Sequence, residues 1–285
     1  MTAQTSPALG AAARLYQETS PSVVAPCDLV QSDGWIEIHF LPLNDMGNQR
    51  ERTVVMWMKS RLFQRLGGGV LERIGIGFVS AIQMSELGGH KDREVMRLIR
   101  KVRWERKSLL TANETFLIHS IARAQAKVPG EFAEVGVYEG GSARTTCEVK
   151  GDKELHLFDT FEGLPESAKQ DRAVHKKHQY ACSLESVQEY LKDQDNVFFH
   201  KGLFPDSAEG LKEMKFSFAH FDVDLYEGTL GCLEYFYPRM TPGGIMLSHD
   251  YSILSGVEAA FTEFLADKPE ELIELPTTQC MVIKL

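Results

Sequence analysis

Asp222, His249 and Asp250 are the side chains best suited to hold a cation or move a proton, because each closes an apolar run. Two carboxylates with one imidazole make an O/N metal site. The carboxylates suit magnesium, manganese or calcium, and the imidazole moves the preference toward manganese, iron or zinc. The alternative is a structural or acid–base histidine with no metal. Asp224 lies two residues beyond Asp222 and would share its side if the chain stayed extended. The strand is expected to end near Asp222, so one carboxylate faces the cleft while the other ties down the loop or caps a helix beginning near Tyr226. A further carboxylate, Asp159, follows the apolar run 155–158, where an acidic side chain accepts both hydroxyl protons of a ribose. Its alternative use is to cap the turn that follows.

The second chemical feature is a glycine-rich turn. Apolar residues run from Phe132 to Val137, and Gly140-Gly141-Ser142 then allow a tight entry into a helix. Strand, turn and helix bring backbone N–H groups and a helix N-terminus close to a ligand. Gly136-x-x-x-Gly140-Gly141 is neither the dinucleotide G-x-G-x-x-G nor a phosphate loop ending in Gly-Lys-Ser/Thr. A nucleoside cofactor without a phosphate tail fits it better. Phe161 and Leu164 are candidates for apolar walls beside such a nucleoside.

These residues need a sheet to bring them together. Candidate strands are 132–137, 154–158, 196–199, 216–221, 244–248, 271–275 and 280–284, with helices over 184–191, 229–237 and 256–266 between them. The alternation predicts a doubly wound α/β fold with a mostly parallel seven-stranded sheet. Only Pro276 to Gln279 separate the last two strands, too few for a crossover helix, so an antiparallel C-terminal strand is expected at one edge. A helix over 113–126 precedes the first strand and stops at Pro129-Gly130. Ahead of it, 35–41 and 54–58 read as short strands joined by a loop or hairpin. Gly67-Gly68-Gly69 interrupts a possible helix, and Gly88-Gly89 marks another break. Residues 1–107 are therefore expected to be an extension that caps the core or builds a subunit contact, and 108–285 the catalytic domain.

The chain has 285 residues, is 43% apolar and 25% charged, and carries a formal charge of -9. These values fit a soluble globular protein and give no general attraction to nucleic acid or an anionic membrane. The basic stretch Lys91 to Lys107 reads as an exposed helix face rather than a nucleic-acid arm. Five scattered cysteines without a C-x-x-C pair, and first residues without a basic leader or apolar h-region, lead us to expect a cytoplasmic protein with reduced thiols.

From about Ser108 onward, five segments in order (FAEVGVYEGGSA, LFDTFEGLP, KGLFPDS, HFDVDLYEGT and GGIMLSHDY) resemble the macrocin O-methyltransferase family. These are S-adenosylmethionine-dependent enzymes of the TylF/MycF/NovP type that methylate hydroxyls of sugars on antibiotics. The resemblance implies a class I methyltransferase fold with S-adenosyl-L-methionine as cofactor. Glu134, Gly136, Tyr138 and Ser142 would surround its methionine and ribose parts. Asp159 would hold the ribose hydroxyls, and the segment from Gly202 would border the adenine. Asp222 would be both base and magnesium ligand, with Asp250 a second ligand. The family usually has two adjacent aspartates at this last position, and His249 stands here in place of the first. That departure points to another metal, manganese for instance, or to a metal-free enzyme.

The resemblance thus implies an O-methyltransferase acting on a small-molecule hydroxyl, a sugar or other natural-product intermediate, in a chain expected to form a homo-oligomer. A metal held by Asp222, His249 and Asp250 would orient vicinal oxygens and lower the hydroxyl pKa. Without it, Asp222 or His249 would act as general base. His220 is expected to pack or to orient its neighbours from farther down the strand. The loop from Asp171 to Tyr180 falls on the acceptor side; its basic residues suit an anionic acceptor or simply an exposed surface. The competing reading is a non-catalytic cofactor-binding or assembly protein on the same fold. A serine hydrolase is disfavoured by the lack of a G-x-S-x-G elbow.

Overall fold

The computed structural model describes residues 27–32, 35–40, 70–106, 108–171 and 175–285. The chain divides into two compact units, Met1–Val54 and Val55–Leu285. In the first, β1 (Cys27–Ser32) pairs antiparallel with β2 (Trp35–Phe40). The strand expected at 35–41 is therefore present, but its partner lies upstream of it. The only residues between the two are Asp33-Gly34, a two-residue hairpin signal in its own right. The expected strand at 54–58 and the glycine run at 67–69 lie outside the described residues.

The second unit holds a seven-stranded sheet: β3 (Glu131–Val135), β4 (Leu155–Asp159), β5 (Val197–Lys201), β6 (Phe216–Phe221), β7 (Met240–Ser248), β8 (Ile273–Glu274) and β9 (Cys280–Ile283). Their spatial order is β5-β4-β3-β6-β7-β9-β8. β3 to β7 run parallel, whereas β9 pairs antiparallel with β7 on one side and with β8 on the other. This is the class I methyltransferase-like arrangement, with the short connection 275–279 making the reversed edge. β3 sits between β4 and β6, so successive crossovers leave it in opposite directions. That topological switch point opens a crevice at the carboxyl ends of the strands.

Helices cover both faces, so the central strands are buried on both sides rather than alternating; every residue of β6 is buried, Ser217 and His220 included. On one face α6 (Tyr226–Phe236) and α7 (Ser255–Leu265) pack Phe236, Val257 and Phe261 against Phe221 and Met246. On the other, α3 (Ala112–Gln125), α4 (Gly141–Cys147) and α5 (Leu184–Leu191) pack Ile118, Ala143 and Leu191 against Phe132, Leu157 and Leu247. Truncating one of the fully buried phenylalanines to alanine would cost about 3–5 kcal/mol.

Two helices ahead of α3 belong to the same unit. In α2 (Arg93–Glu105), Val95, Met96, Ile99 and Val102 are buried, which leaves Arg93, Arg97, Arg100 and Lys101 on the exposed face. Val95, Met96 and Ile99 pack with Leu87 of α1 (Val70–Gly88) and Ala112 of α3. Just past α2, Arg106 donates from Nε to the Glu139 carbonyl at 2.7 Å and pairs with the Glu139 carboxylate at 3.0 Å, which ties α2 to the glycine-rich turn.

Candidate active site

The strand-end crevice is a cavity of about 570 Å³ lined from both sides of the switch point. One wall is the glycine-rich turn after β3 with the end of β4. Gly136 has φ +86°, and a Cβ there would stand 1.9 Å from the Asp222 carbonyl oxygen. Only glycine lets the ends of β3 and β6 approach this closely. Gly140 is left-handed at φ +80° and opens α4.

Asp159 faces this turn and is already engaged. Its Oδ2 accepts the N–H groups of Val137 at 2.7 Å and Tyr138 at 3.1 Å, and its Oδ1 accepts Phe161 N–H at 2.7 Å. The carboxylate thus fastens β4 to the turn and also caps its own loop, with one lone-pair site left on Oδ1 for a further donor. Gly136, Tyr138, Ser142, Asp159 and Gly202 all line the cavity. Glu134 does not: it is 1% exposed, accepts the Ser142 hydroxyl at 2.5 Å and lies behind the wall. Leu164 lines the cavity, while Phe161 packs into the core.

The opposite wall is polar and crowded. Asp222 and Asp224 follow β6, and His249 and Asp250 follow β7. Asp222, His249 and Asp250 each offer a ligand atom within 4.8 Å of the others. His249 Nδ1 lies 3.0 Å from Asp250 and 3.6 Å from Asp222, and Nε2 lies 3.4 Å from Glu114. Asp224, with φ +61°, also lines the cavity. Neither Asp222 nor Asp224 caps α6; Asp171 does, accepting Tyr226 N–H at 2.7 Å. His220 is fully buried, with Nδ1 3.8 Å from Glu134, and packs beneath the site.

Crowding sets the protonation pattern. Burial, reinforced by the neighbouring Asp250, pushes Asp222 up to about 6 against the pull of His249. Burial also raises Asp224 well above the carboxylate range, with Asp250 and Asp222 adding to it. Burial opposes a charged His249, but Asp250, Asp222 and Glu114 together outweigh it and raise the imidazole well above its ordinary value. Burial likewise works against ionised Asp250 and Glu114, yet His249 overrides it. Asp250 is lowered and Glu114, with help from Thr111, falls to about 2.

The donor set fits a divalent cation: two carboxylates and one imidazole converge, and both His249 ring nitrogens are buried without a hydrogen bond. Asp222, His249 and Asp250 are the residues that would hold it.

Two contributors escape the sequence reading. Glu114 reaches the site from the first turn of α3, where its capping pattern Thr111-x-x-Glu114 marks a helix start and gives no hint of a cavity. His175 lines the cavity with both ring nitrogens buried and without a well-formed hydrogen bond, and burial lowers its pKa. Its loop neighbours Lys176 and Lys177 are exposed, and Lys177 pairs with Glu166 at 3.3 Å. Lys176 and Lys177 thus lie on the surface, while His175, Gln179 and Tyr180 line the cavity.

The sequence profile described as Macrocin-O-methyltransferase (TylF) matches residues 115–279. A protein of Streptomyces olivaceus named 8-demethyl-8-(2,3-dimethoxy-alpha-L-rhamnosyl)-tetracenomycin-C 4'-O-methyltransferase is 34% identical over 142 residues, covering 44% of this chain and 54% of that protein. Mycinamicin III 3''-O-methyltransferase of Micromonospora griseorubida is 31% identical over 150 residues, covering 46% and 59%. The chain spans little more than half the length of these relatives. The solved O-methyltransferase NovP shares the fold, with a TM-score of 0.56 at 24% identity over 62% of this chain and 81% of that one.

Proposed function

This chain belongs to the macrocin-O-methyltransferase (TylF) family, and from that premise we propose that it transfers a methyl group from S-adenosylmethionine to a hydroxyl of a small sugar or other natural-product intermediate. The observation that carries the reading is a single cavity with a glycine-turn wall on one side and Asp222, His249 and Asp250 on the other. Both relatives quoted above are named as O-methyltransferases, one of them for a rhamnosyl tetracenomycin.

When bound, the cofactor supplies a methyl on a sulfonium, so transfer breaks a C–S bond, forms a C–O bond and leaves a neutral thioether. The protein aligns the two reactants and removes the hydroxyl proton. Gly136, Tyr138, Ser142 and Asp159 border the donor, Gly202 borders its adenine end, and Glu134 acts from behind by fixing Ser142. Asp222 takes the acceptor proton; its raised pKa makes it a stronger base than an ordinary carboxylate. His249 stands beside it as the alternative base. A magnesium or manganese ion held by Asp222, His249 and Asp250 would supply Lewis-acid polarisation of the acceptor oxygen.

In the same reading, residues 108–285 are the catalytic domain, and α1 serves as a cap, since Gly75, Ile76 and Val79 line the cavity. Among the described residues no helix is long and apolar enough to cross a membrane. Among the described residues Cys147, Cys182, Cys232 and Cys280 are free thiols, which supports a cytoplasmic setting, and a homo-oligomer acting on a small molecule completes the proposal.

Calorimetry with S-adenosylhomocysteine, S-adenosylmethionine, NAD and ATP tests the donor assignment. Micromolar binding of the first two with little affinity for NAD or ATP is expected. Selective binding of NAD, or no binding of S-adenosylhomocysteine, would sink it. Incubation with a panel of glycosides and phenols, read as S-adenosylhomocysteine release, separates an enzyme from a binding protein.

A further inference from the structure

Glu114 belongs to a capping box, yet it makes more contacts than a cap requires. Its Oε2 accepts both the N–H and the hydroxyl of Thr111 at 2.8 Å. Its Oε1 accepts the hydroxyl of Thr278, 164 residues away in the turn between β8 and β9, also at 2.8 Å. The side chain is almost wholly buried and stands 3.4 Å from His249 Nε2. Every protein group on this carboxylate is therefore a donor, and its direction is set from two elements that belong to neither β6 nor β7.

A neutral imidazole offers one N–H and one lone pair. Beside the Glu114 carboxylate, 3.4 Å from Nε2 and not closed into a hydrogen bond, the edge of the ring that can rest is its N–H edge. The lone pair then falls on Nδ1, which looks toward Asp250 and Asp222 at 3.0 and 3.6 Å. Without a cation the two carboxylates favour a proton on Nδ1, and a divalent cation standing among them would take that proton's place. A histidine whose other nitrogen donates to a carboxylate is the arrangement that fixes ring orientation in metal sites.

We propose that Glu114 is the positioning residue of the site: it holds the Nε2–H edge of His249 so that Nδ1 faces Asp222 and Asp250 as a donor to a divalent cation. The inference rests on the metal reading given above. It also gives a reason why one site tolerates histidine where two aspartates are usual, since an imidazole needs a partner for its second nitrogen and an aspartate does not.

The test is Glu114→Gln in the full chain, because glutamine preserves the capping box while relaxing the tautomer. Manganese binding is followed by electron paramagnetic resonance in the presence of S-adenosylhomocysteine. The expected result is a 10–100-fold weaker manganese affinity with S-adenosylhomocysteine affinity unchanged. Long-range proton–nitrogen spectra with magnesium should show His249 protonated at Nε2 alone in the parent and a mixture of tautomers in the variant. A role confined to helix capping would move neither readout. Unchanged manganese affinity in Glu114→Gln overturns the proposal, as does a parent protein that binds no manganese. In that second case, retained S-adenosylhomocysteine binding leaves the methyltransferase reading standing. Loss of S-adenosylhomocysteine binding by the parent would strike the methyltransferase reading instead, with the manganese comparison still deciding the role of Glu114. Should Glu114→Gln fail to fold, Thr278→Val removes the outer anchor alone. A smaller loss of manganese affinity, at least threefold, supports the proposal, and none overturns it.

Discussion

At the end of β4, one carboxylate meets three backbone N–H donors; at the ends of β6 and β7, two carboxylates and a third from α3 surround one imidazole. Asp159 is satisfied where it stands and can act as part of the wall. The cluster around His249 is strained by like charge and burial, which drives Asp222 up to about 6. Groups that are satisfied in advance recognise, whereas groups held in an unfavourable ionisation state are poised to react. Under the proposed function the two ends of the cavity would divide binding from chemistry, and that division can be broken by mutation.

The largest effect is expected at the poised end. Asp222→Asn should lower methyl transfer by about 10²–10⁴-fold, the usual contribution of a positioned base. Its affinity for S-adenosylhomocysteine should stay within twofold of the parent. If transfer and affinity fall together, the two ends are not separable.

Gly136→Ala probes the seam between them. The added Cβ would overlap the Asp222 carbonyl oxygen at a left-handed position, so steric overlap and backbone strain together should cost about 3 kcal/mol. Chemical denaturation should show a lower midpoint with little change in slope. A midpoint equal to the parent's would mean that β3 and β6 do not meet this closely in solution.

Asp159→Ala comes next, with donor binding weakened by roughly 1–3 kcal/mol measured by calorimetry. Three backbone donors lose their acceptor at the same time, so thermal stability should fall as well. Unchanged affinity together with reduced stability would assign Asp159 to the fold alone.

How much of this was legible in the sequence follows the same divide. The glycine-rich turn, Asp159, Asp222 and the His249-Asp250 pair are local features: each sits at the end of an apolar run, and alternation of strands and helices orders those ends along one edge. The antiparallel pairing of β8 and β9 was readable because four residues cannot hold a crossover. What sequence could not supply were partners brought in from elsewhere. Glu114 is separated from Thr278 by 164 residues, and its spacing from Thr111 announces a helix start and nothing more. Glu134 was read as a cofactor contact, yet its bond to Ser142 places it behind the wall. In the loop 171–180, charge drew attention to Lys176 and Lys177, whereas burial selects His175. β1 was missed for a different reason: the long polar stretch after β2 suggested a downstream partner, although Asp33-Gly34 was the stronger turn signal.

The smallest effect supplies the control for the comparison. Glu270 resembles Asp159 in being a carboxylate surrounded by donors, but it lies away from the cavity. It accepts Lys284 at 2.5 Å, Tyr237 at 2.7 Å and the N–H of Leu285 at 3.2 Å. Burial opposes its ionisation, yet Lys284 and Tyr237 outweigh it and hold the pKa at about 2, below the reference of 4.5. A carboxyl depressed in the folded state stabilises fully above its unfolded pKa and loses that contribution as pH falls through the folded one. The gain should therefore be complete above about pH 4.5 and vanish toward pH 2. Glu270→Gln should lower Tm by about 2–4 °C at pH 7, and the gap from the parent should close as pH falls through that window. Its affinity for S-adenosylhomocysteine should not change. A gap that stays constant with pH would show that the ionised form of Glu270 is not what matters. A change in donor affinity would show that satisfied carboxylates influence the cavity from a distance, and Asp159→Ala would then no longer measure a contact with the ribose.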